Sequence, residues 1–304
     1  MVVRHFEDLK KQVAQIDQSA RRVVVVSAED EEVLAAIRQA KDDGLADGIL
    51  IGDSSAIADI AKKHGISLEG FEIVHEPDQK AAAAKAVQYV REGKARAVMK
   101  GSIDTAKFMK AILNKEAGLN TGNLLSLVAV FEMPTYPKLL MITDPGINIA
   151  PDVSAKAKII DNGVKVARAL GIEKPLVACC AAVEKVNVEA MPATVDAALL
   201  AKMNDRGMIT GCIVDGPFGL DNAVSEESAR IKKIQSPVAG KADIILCNDI
   251  ESGNYLYKAL VFLAGAKNAT TVVGAAAPVI LTSRADSHET KYLSIILSLL
   301  CAKV

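Results

Sequence analysis

The sequence predicts an α/β protein of two domains, each with a parallel-rich sheet flanked by helices. Three observations carry this reading. Short β-branched runs alternate with longer Ala-, Lys- and Glu-rich stretches along the chain. The first run, 22–27 (RVVVVS), is apolar on successive residues, which implies cover on both faces of its strand. At 304 residues the chain exceeds the usual ~100–200 residues of one domain.

The elements follow in order. After the strand at 22–27 comes a helix over 29–43, with Glu29 or Asp30 near its start. The run 48–52 (GILIG) is a second strand, and 54–64 a helix stopped by Gly65. A short strand covers 71–75. The helix at 78–92 is bounded by Pro77 and Gly93. A fourth strand, 95–100 (ARAVMK), leads into GSIDTAKFMKAIL, a loop entering a helix. The pattern restarts after the Gly/Asn-rich 118–123. Strands are expected at 125–132, 139–143, 175–181, 208–215 and 243–247, with helices at 153–170, 194–204, 225–234 and 253–264. The stretch 270–281 contains Gly274 and Pro278 and reads as a bent or edge strand. A helix over 287–301 closes the chain. Repeated βα units imply right-handed crossovers. The expected division is 1–123 plus 281–304 for the first domain and 124–280 for the second.

Composition narrows the function. Half the residues are hydrophobic and 24% charged, which is globular rather than disordered. A net charge of −1 gives no electrostatic reason for nucleic acid as a partner. Aromatics are 4% with no Trp, which argues against a base-stacking platform. The opening MVVRHFEDLKKQVAQ lacks the apolar centre of a signal peptide. No apolar stretch reaches the ~18 residues of a spanning helix. Five cysteines without a CxxC pair fit reduced thiols in a cytoplasm.

The usual site signatures are absent: no GxGxxG after a strand, no GxxxxGK[ST], no GxSxG, and no paired histidines. Five segments remain as candidates. Lys100-Gly101-Ser102-Ile103-Asp104-Thr105 follows a strand and opens a helix, where amides, hydroxyls and Lys100 suit an anion. The bland reading is a βα loop capped by Ser102 or Asp104. The second segment, 144–152, has Asp144 before Pro145 and Asn148 between Pro145 and Pro151. It is a shaped turn or a ligand contact. In the third, 215–221, glycines permit close backbone approach. The fourth carries Gly240 and Lys241 ahead of a strand and Asn254 on the helix beyond it. Lys241 there is a ligand-facing cation or a solvated charge. The fifth, 283–290 (SRADSHET), groups Ser283, Arg284, Asp286 and Glu289 at a strand-to-helix joint. Arg suits phosphate because its planar donors grip two oxygens. A capped helix with an Arg salt bridge is the plainer reading. Cys179 and Cys180, adjacent in a strand, point to opposite faces and read as core.

Taken in order, these segments resemble the phosphate acetyltransferase/phosphate butyryltransferase family over nearly the whole chain. SPVAGKADIILCNDIESGNYLYKAL and SRADSHETK are the most specific tracts, and the SRADS form is more similar to the butyryltransferases. The resemblance implies an isocitrate/isopropylmalate dehydrogenase-like fold with the site in the cleft between domains and the last helix rejoined to the first. It implies reversible transfer of a short acyl group, butyryl for a butyryltransferase, between CoA and inorganic phosphate, without a covalent acyl-enzyme. Acyl-CoA and phosphate are the expected partners, in a cytoplasmic homo-oligomer with no metal, no other cofactor, no nucleic acid and no membrane. Ser283 and Arg284 match the family's Ser-Arg pair. Thr290 stands where the acetyltransferases carry a catalytic Asp, and a threonine cannot act as base. Asp286 and Glu289 are the local replacements. The expected phosphate- and acyl-CoA-binding residues are Lys100, Gly101, Ser102, Thr105, Asp144, Asn148, Gly240, Lys241 and Asn254. The alternatives are a phosphate acetyltransferase of broad acyl specificity, or a non-catalytic acyl-CoA-binding relative. A decarboxylating dehydrogenase would need metal-binding carboxylates four apart, and Asp43 with Asp47 is the only Asp pair so spaced.

Overall fold

The structure is a computed structural model that describes residues 2–283 and 285–302. Contacts divide the chain into two compact units. The first comprises Phe6–Asn123 and 269–302, the second residues 2–5 and Leu124–Asn268.

The first unit opens with α1 (Phe6–Val13), a short helix that the sequence reading missed, burying Phe6, Leu9 and Val13 on one stripe. Then come β1 (Arg22–Val26), α2 (Glu31–Asp42), β2 (Asp47–Gly52), α3 (Ser54–His64), β3 (Glu72–His75), α4 (Gln79–Arg91), β4 (Ala97–Lys100) and α5 (Thr105–Ile112). One device starts α2, α3, α4 and α5. An aspartate just after the preceding turn (Asp30, Asp53, Asp78, Asp104) takes free amides of the first helical turn. The helix α3 ends where Gly65 adopts φ +67°, as a glycine stop should. Strand β1 lies between β2 and β4, with β3 outside β2, all parallel. The register is level: Val26 sits opposite both Ile51 and Lys100, and Gly52 opposite His75. The carboxyl ends of four strands therefore share one edge.

The second unit contains β5 (Ser126–Glu132), β6 (Leu140–Thr143), α6 (Val153–Ala169), β7 (Leu176–Cys180), α7 (Pro192–Asp205), β8 (Ile213–Phe218), α8 (Leu220–Val224), α9 (Glu226–Ile231), β9 (Ile244–Leu246) and α10 (Ile250–Lys258). Its strand order is β5-β6-β9-β7-β8. From β6 to β8 the strands are parallel, but β5 pairs antiparallel with β6. The short 133–139 connection leaves no room for a crossover helix, so the sheet is mixed. Strand β8 starts later than 208 and runs through Gly216–Pro217. The Asn204 side chain explains the shift: its amide donates to the carbonyls of Ile209 and Cys212 and accepts the Val214 amide, holding 208–212 as a turn.

The chain ends with β10 (Lys267–Val273), β11 (Val279–Ile280) and α11 (His288–Cys301). The expected single strand over 270–281 is two antiparallel strands, reversed where Gly274 takes φ +106°. Residues 269–280, expected with the second half, group with the first unit because β11 pairs in parallel with β4, Ile280 opposite Met99. The helix α11 is buried almost all round and packs on α1 and α2. Its two serines are satisfied inside: Ser294 Oγ accepts the Thr270 amide (2.9 Å), and Ser298 Oγ donates to Thr271 Oγ1 (3.0 Å). Among the described residues no helix is long and apolar enough to cross a membrane.

Leu297 has no exposed surface. Leu297→Ala should destabilise the chain by about 2–5 kcal/mol through the cavity it leaves. Urea denaturation should show a lower midpoint with an unchanged slope.

Candidate active site

The first unit's level edge carries the candidate segment 100–105. The Gly101 amide donates to Val26 O (2.9 Å) and the Ser102 amide to Ser27 O (2.7 Å). These bonds draw the loop so close that a Cβ on Gly101 would lie 2.1 Å from Ser27 O. Ser27 itself takes φ +52°, rare for a residue with a side chain. Lys100 is buried and donates to the Gly101 carbonyl at 3.2 Å. Ser102 Oγ donates to Glu29 (3.3 Å), whose other oxygen accepts the Asp53 amide. Glu29 thus ties three loops together, a role invisible in the sequence. The cap of α5 is Asp104, not Ser102, and Thr105 is exposed at the first helical position.

The joint before α11 is organised by its own residues. Asp286 is buried, and its carboxylate accepts the Ser283 amide at 2.7 Å. The Ala285 amide donates to Ser283 Oγ at 3.3 Å. Ser287 caps the helix by accepting the Thr290 amide. Lys291, buried and unanticipated, donates to the carbonyls of Asp286 and Ser283. Ser283 and Glu289 are exposed, and Arg284 lies outside the described residues. Beyond the joint, the Tyr292 hydroxyl donates to Asp43 (2.6 Å), and His288 shares a groove with Arg38, Asp42 and Ser67. The start of α11 therefore lies beside the turns that feed β2 and β3, whereas 100–105 leaves the far end of β4.

In the second unit the segment 144–149 folds around Asp144. Its carboxylate accepts the amides of Gly146 (2.9 Å), Ile147 (3.1 Å) and Asn148 (3.0 Å), and the Asn148 side chain as well. Burial pushes the Asp144 carboxyl above its usual range, against the pull of these donors. The Asn148 side-chain amide also donates to Leu125 O (2.8 Å), so both its hydrogens are spent. Asp144 and Asn148, expected to hold ligand, hold the turn of their own loop in this structure. The helix α10 docks on that loop: Ile250 N donates to Ile149 O (3.0 Å), and Asn254 reaches Pro145 O (3.4 Å). A Cβ on Gly253 would lie 2.8 Å from Asp144 O.

Gly240 and Lys241 do not join this group. They precede β9, whereas Asp144 and Asn254 follow the carboxyl ends of β6 and β9. Gly240 takes φ +75°, and a Cβ there would meet the Glu226 backbone at 2.5 Å, so packing explains it. Lys241 is exposed, 3.4 Å from Glu226, a surface pair.

Sequence reasoning missed Lys156. Its buried ammonium donates to Asp196 Oδ2 (2.6 Å) and Asn248 Oδ1 (2.6 Å), joining α6, α7 and the end of β9. The 215–219 stretch lies mostly inside β8. Its Gly216 backs onto Cys179, where a Cβ would be 2.6 Å from the Cys179 carbonyl. All five cysteines are free. Burial pushes Cys212 up to about 11 and Cys180 to about 12, and raises Cys179 and Cys247 further. Asp43 and Asp47 are engaged by Tyr292 and by Lys41 (2.6 Å). Among the described residues no three His, Cys, Asp or Glu side chains are grouped to hold a metal.

Fold and loops together define an α/β protein in which the 100–105 and 144–149 turns each follow the carboxyl end of a strand, the edge where open sheets take ligands. The family described as Phosphate acetyl/butaryl transferase matches residues 6–85 and 79–299, and the chain belongs to that family. It is 50% identical to the phosphate butyryltransferase of Clostridium acetobutylicum over 99% of both chains. It is 46% identical to the phosphate acetyltransferase of Thermotoga maritima, covering 95% of this chain and 98% of that one. A branched-chain phosphotransacylase from Enterococcus faecalis V583 superposes with a TM-score of 0.82 at 32% identity, covering 92% of this chain and 98% of that one.

Gly101→Ala should destabilise the protein by about 1–3 kcal/mol, because the added carbon has only backbone to push against. Gly93→Ala, where a Cβ meets nothing within 4 Å, isolates the cost of positive φ alone. Chemical denaturation of both variants checks the difference, with Gly101→Ala the less stable.

Proposed function

We propose that this chain is a phosphate acyltransferase, moving a short acyl group reversibly between CoA and inorganic phosphate, with butyryl preferred over acetyl. The observation that carries the reading is the near-complete match at 50% identity to a phosphate butyryltransferase. On this reading the two compact units are two domains of an isocitrate/isopropylmalate dehydrogenase-like fold. The enzyme works as a homo-oligomer in the cytoplasm, where free thiols persist, and needs neither metal nor separate cofactor.

The chemistry assigns roles to the family's Ser-Arg pair. Arg284 holds phosphate and balances charge developing on the tetrahedral intermediate, and Ser283 orients the phosphate. A CoA thiol with a pKa of ~8.5 is mostly protonated at neutral pH, so a nearby carboxylate takes its proton as sulfur attacks. Asp286 spends one oxygen on the Ser283 amide and acts as a positioning group. Glu289, exposed in the first turn of α11, is then the base. In the other direction bound phosphate is the nucleophile. No acyl-cysteine forms, in keeping with thiols whose pKa burial has raised.

The purified protein should release CoA from butyryl-CoA only when phosphate is present, with no added metal, and acetyl-CoA should be the poorer substrate. Thiol release insensitive to phosphate would identify a thioesterase instead, and a clear acetyl preference would favour the broad acetyltransferase reading. Binding of acyl-CoA without turnover would leave a non-catalytic relative.

Arg284→Lys keeps the charge but loses the two-point grip. It should cost about 1.5–3 kcal/mol, roughly 10- to 150-fold in turnover, and raise KM for phosphate more than for acyl-CoA. Glu289→Gln should slow the reaction near neutral pH and recover partly toward the thiol pKa, where solvent supplies thiolate. A pH profile that Glu289→Gln leaves unchanged, with the change appearing in Asp286→Asn, would move the base to Asp286.

A further inference from the structure

The joint before α11 carries the Ser283–Arg284 pair, and Ser283 is held there by several bonds at once. Its amide donates to the Asp286 carboxylate (2.7 Å), and its carbonyl accepts the Asp286 amide (3.1 Å). Its hydroxyl accepts the Ala285 amide (3.3 Å). These bonds close residues 283–286 into a turn. Bonds inside a turn fix its shape and leave its place on the fold to other contacts.

That place is set from α11. Lys291 lies one turn into the helix and is 2% exposed. Its ammonium donates to the Asp286 carbonyl and, at 3.5 Å, to the Ser283 carbonyl. One side chain therefore joins both ends of the turn to a helix that is buried almost all round. All of these groups belong to the first compact unit. An ammonium is costly to bury, and an apolar side chain of similar length would fill the same space without that cost. What lysine adds at this position is N–H donors for two carbonyls three residues apart. Ser283 stays exposed while Lys291 and Asp286 are buried.

We propose that Lys291 is a positioning residue for phosphate, holding the turn that carries Ser283 and Arg284 at the place where the pair can grip the anion. The inference rests on the acyltransferase reading, which gives that pair its ligand. Lys291 touches no substrate and acts through the turn. Small displacements of a gripping group are enough to cost large factors in rate, so the tie matters beyond the stability of the helix.

Thiol release from butyryl-CoA is measured over a range of phosphate concentrations for the unsubstituted protein, Lys291→Met, Lys291→Gln and Ser298→Ala, with urea denaturation of each. Lys291→Met keeps the length of the side chain and removes its donors. Its KM for phosphate should rise roughly tenfold, with KM for butyryl-CoA within about twofold. Lys291→Gln, which keeps an N–H donor, should fall between. Ser298→Ala removes a buried hydrogen bond elsewhere on α11, and should lower the urea midpoint without moving KM for phosphate. In an Arg284→Lys background, Lys291→Met should add less than about twofold, because the grip it positions is already lost. An unchanged KM for phosphate in folded Lys291→Met overturns the inference and leaves the acyltransferase reading intact. So do an equal rise in both KM values, a full additional effect in the Arg284→Lys background, or failure of both Lys291 variants to fold, which would make the residue purely structural. Absence of phosphate-dependent release in the unsubstituted protein overturns the reading itself and the inference with it.

Discussion

The level register of β1 against β2 and β4 is the constraint on which the first unit's candidate loops depend. Because Val26 sits opposite both Ile51 and Lys100, the chain leaves these strands at one height. Three turns then compete for the same space. The contest is settled by a glycine without a Cβ at 101, a serine at 27 in a left-handed conformation, and a carboxylate, Glu29, that accepts donors from the turns after β2 and β4. Exchange any of these for a larger or non-accepting residue and either the backbones collide or an amide loses its partner. Lys100 is buried at the end of β4, where its side-chain nitrogen donates to the Gly101 carbonyl.

The second unit reaches a comparable result with buried charge. A carboxylate at Asp144 and an ammonium at Lys156 are both costly to bury unless fully paired. Each is paired by groups that the loops themselves supply. Asp144 collects successive amides of its own turn, and Lys156 bridges the start of α6 to Asp196 and Asn248. Removing one partner would strand a charge, so the loops can move little without each other. That rigidity is what a site needs if binding is to hold reacting groups in place.

What the sequence made legible follows from where the partners lie. The strands at 22–27, 48–52 and 95–100 announce themselves because a buried parallel strand writes its environment into consecutive residues. The aspartates at 30 and 104, each beside the helix that it caps, are local in the same way. Glu29 and Lys156 were not legible, because their partners are distant in sequence: Ser102 lies 73 residues from Glu29, and Asn248 lies 92 from Lys156. Gly240 and Lys241 were grouped with Asn254 by proximity along the chain. The short strand β9 between them carries the chain from one edge of the sheet to the other, which a reading by segments does not see. The partners of Asp144 were hidden for a further reason. A carboxylate beside Pro-Gly invites a ligand, and here the nearest donors are its own neighbours' amides.

The state of the protein's own thiols constrains the proposed chemistry. A cysteine nucleophile needs a lowered pKa from a neighbouring cation or helix terminus. Burial acts on these cysteines in the opposite direction, so their sulfurs stay protonated at neutral pH. The reactive sulfur in the proposed transfer is then the substrate's. With sulfur and phosphate both supplied by substrates, the chain is left with three tasks. It must hold two polyanionic substrates together, take one proton, and exclude water from an acyl phosphate. The first is work for cations such as Arg284, and the second for one carboxylate. The third calls for an apolar surface near the acyl group, which polar loops alone cannot provide. Catalysis of this kind depends on placement rather than on any reactive side chain.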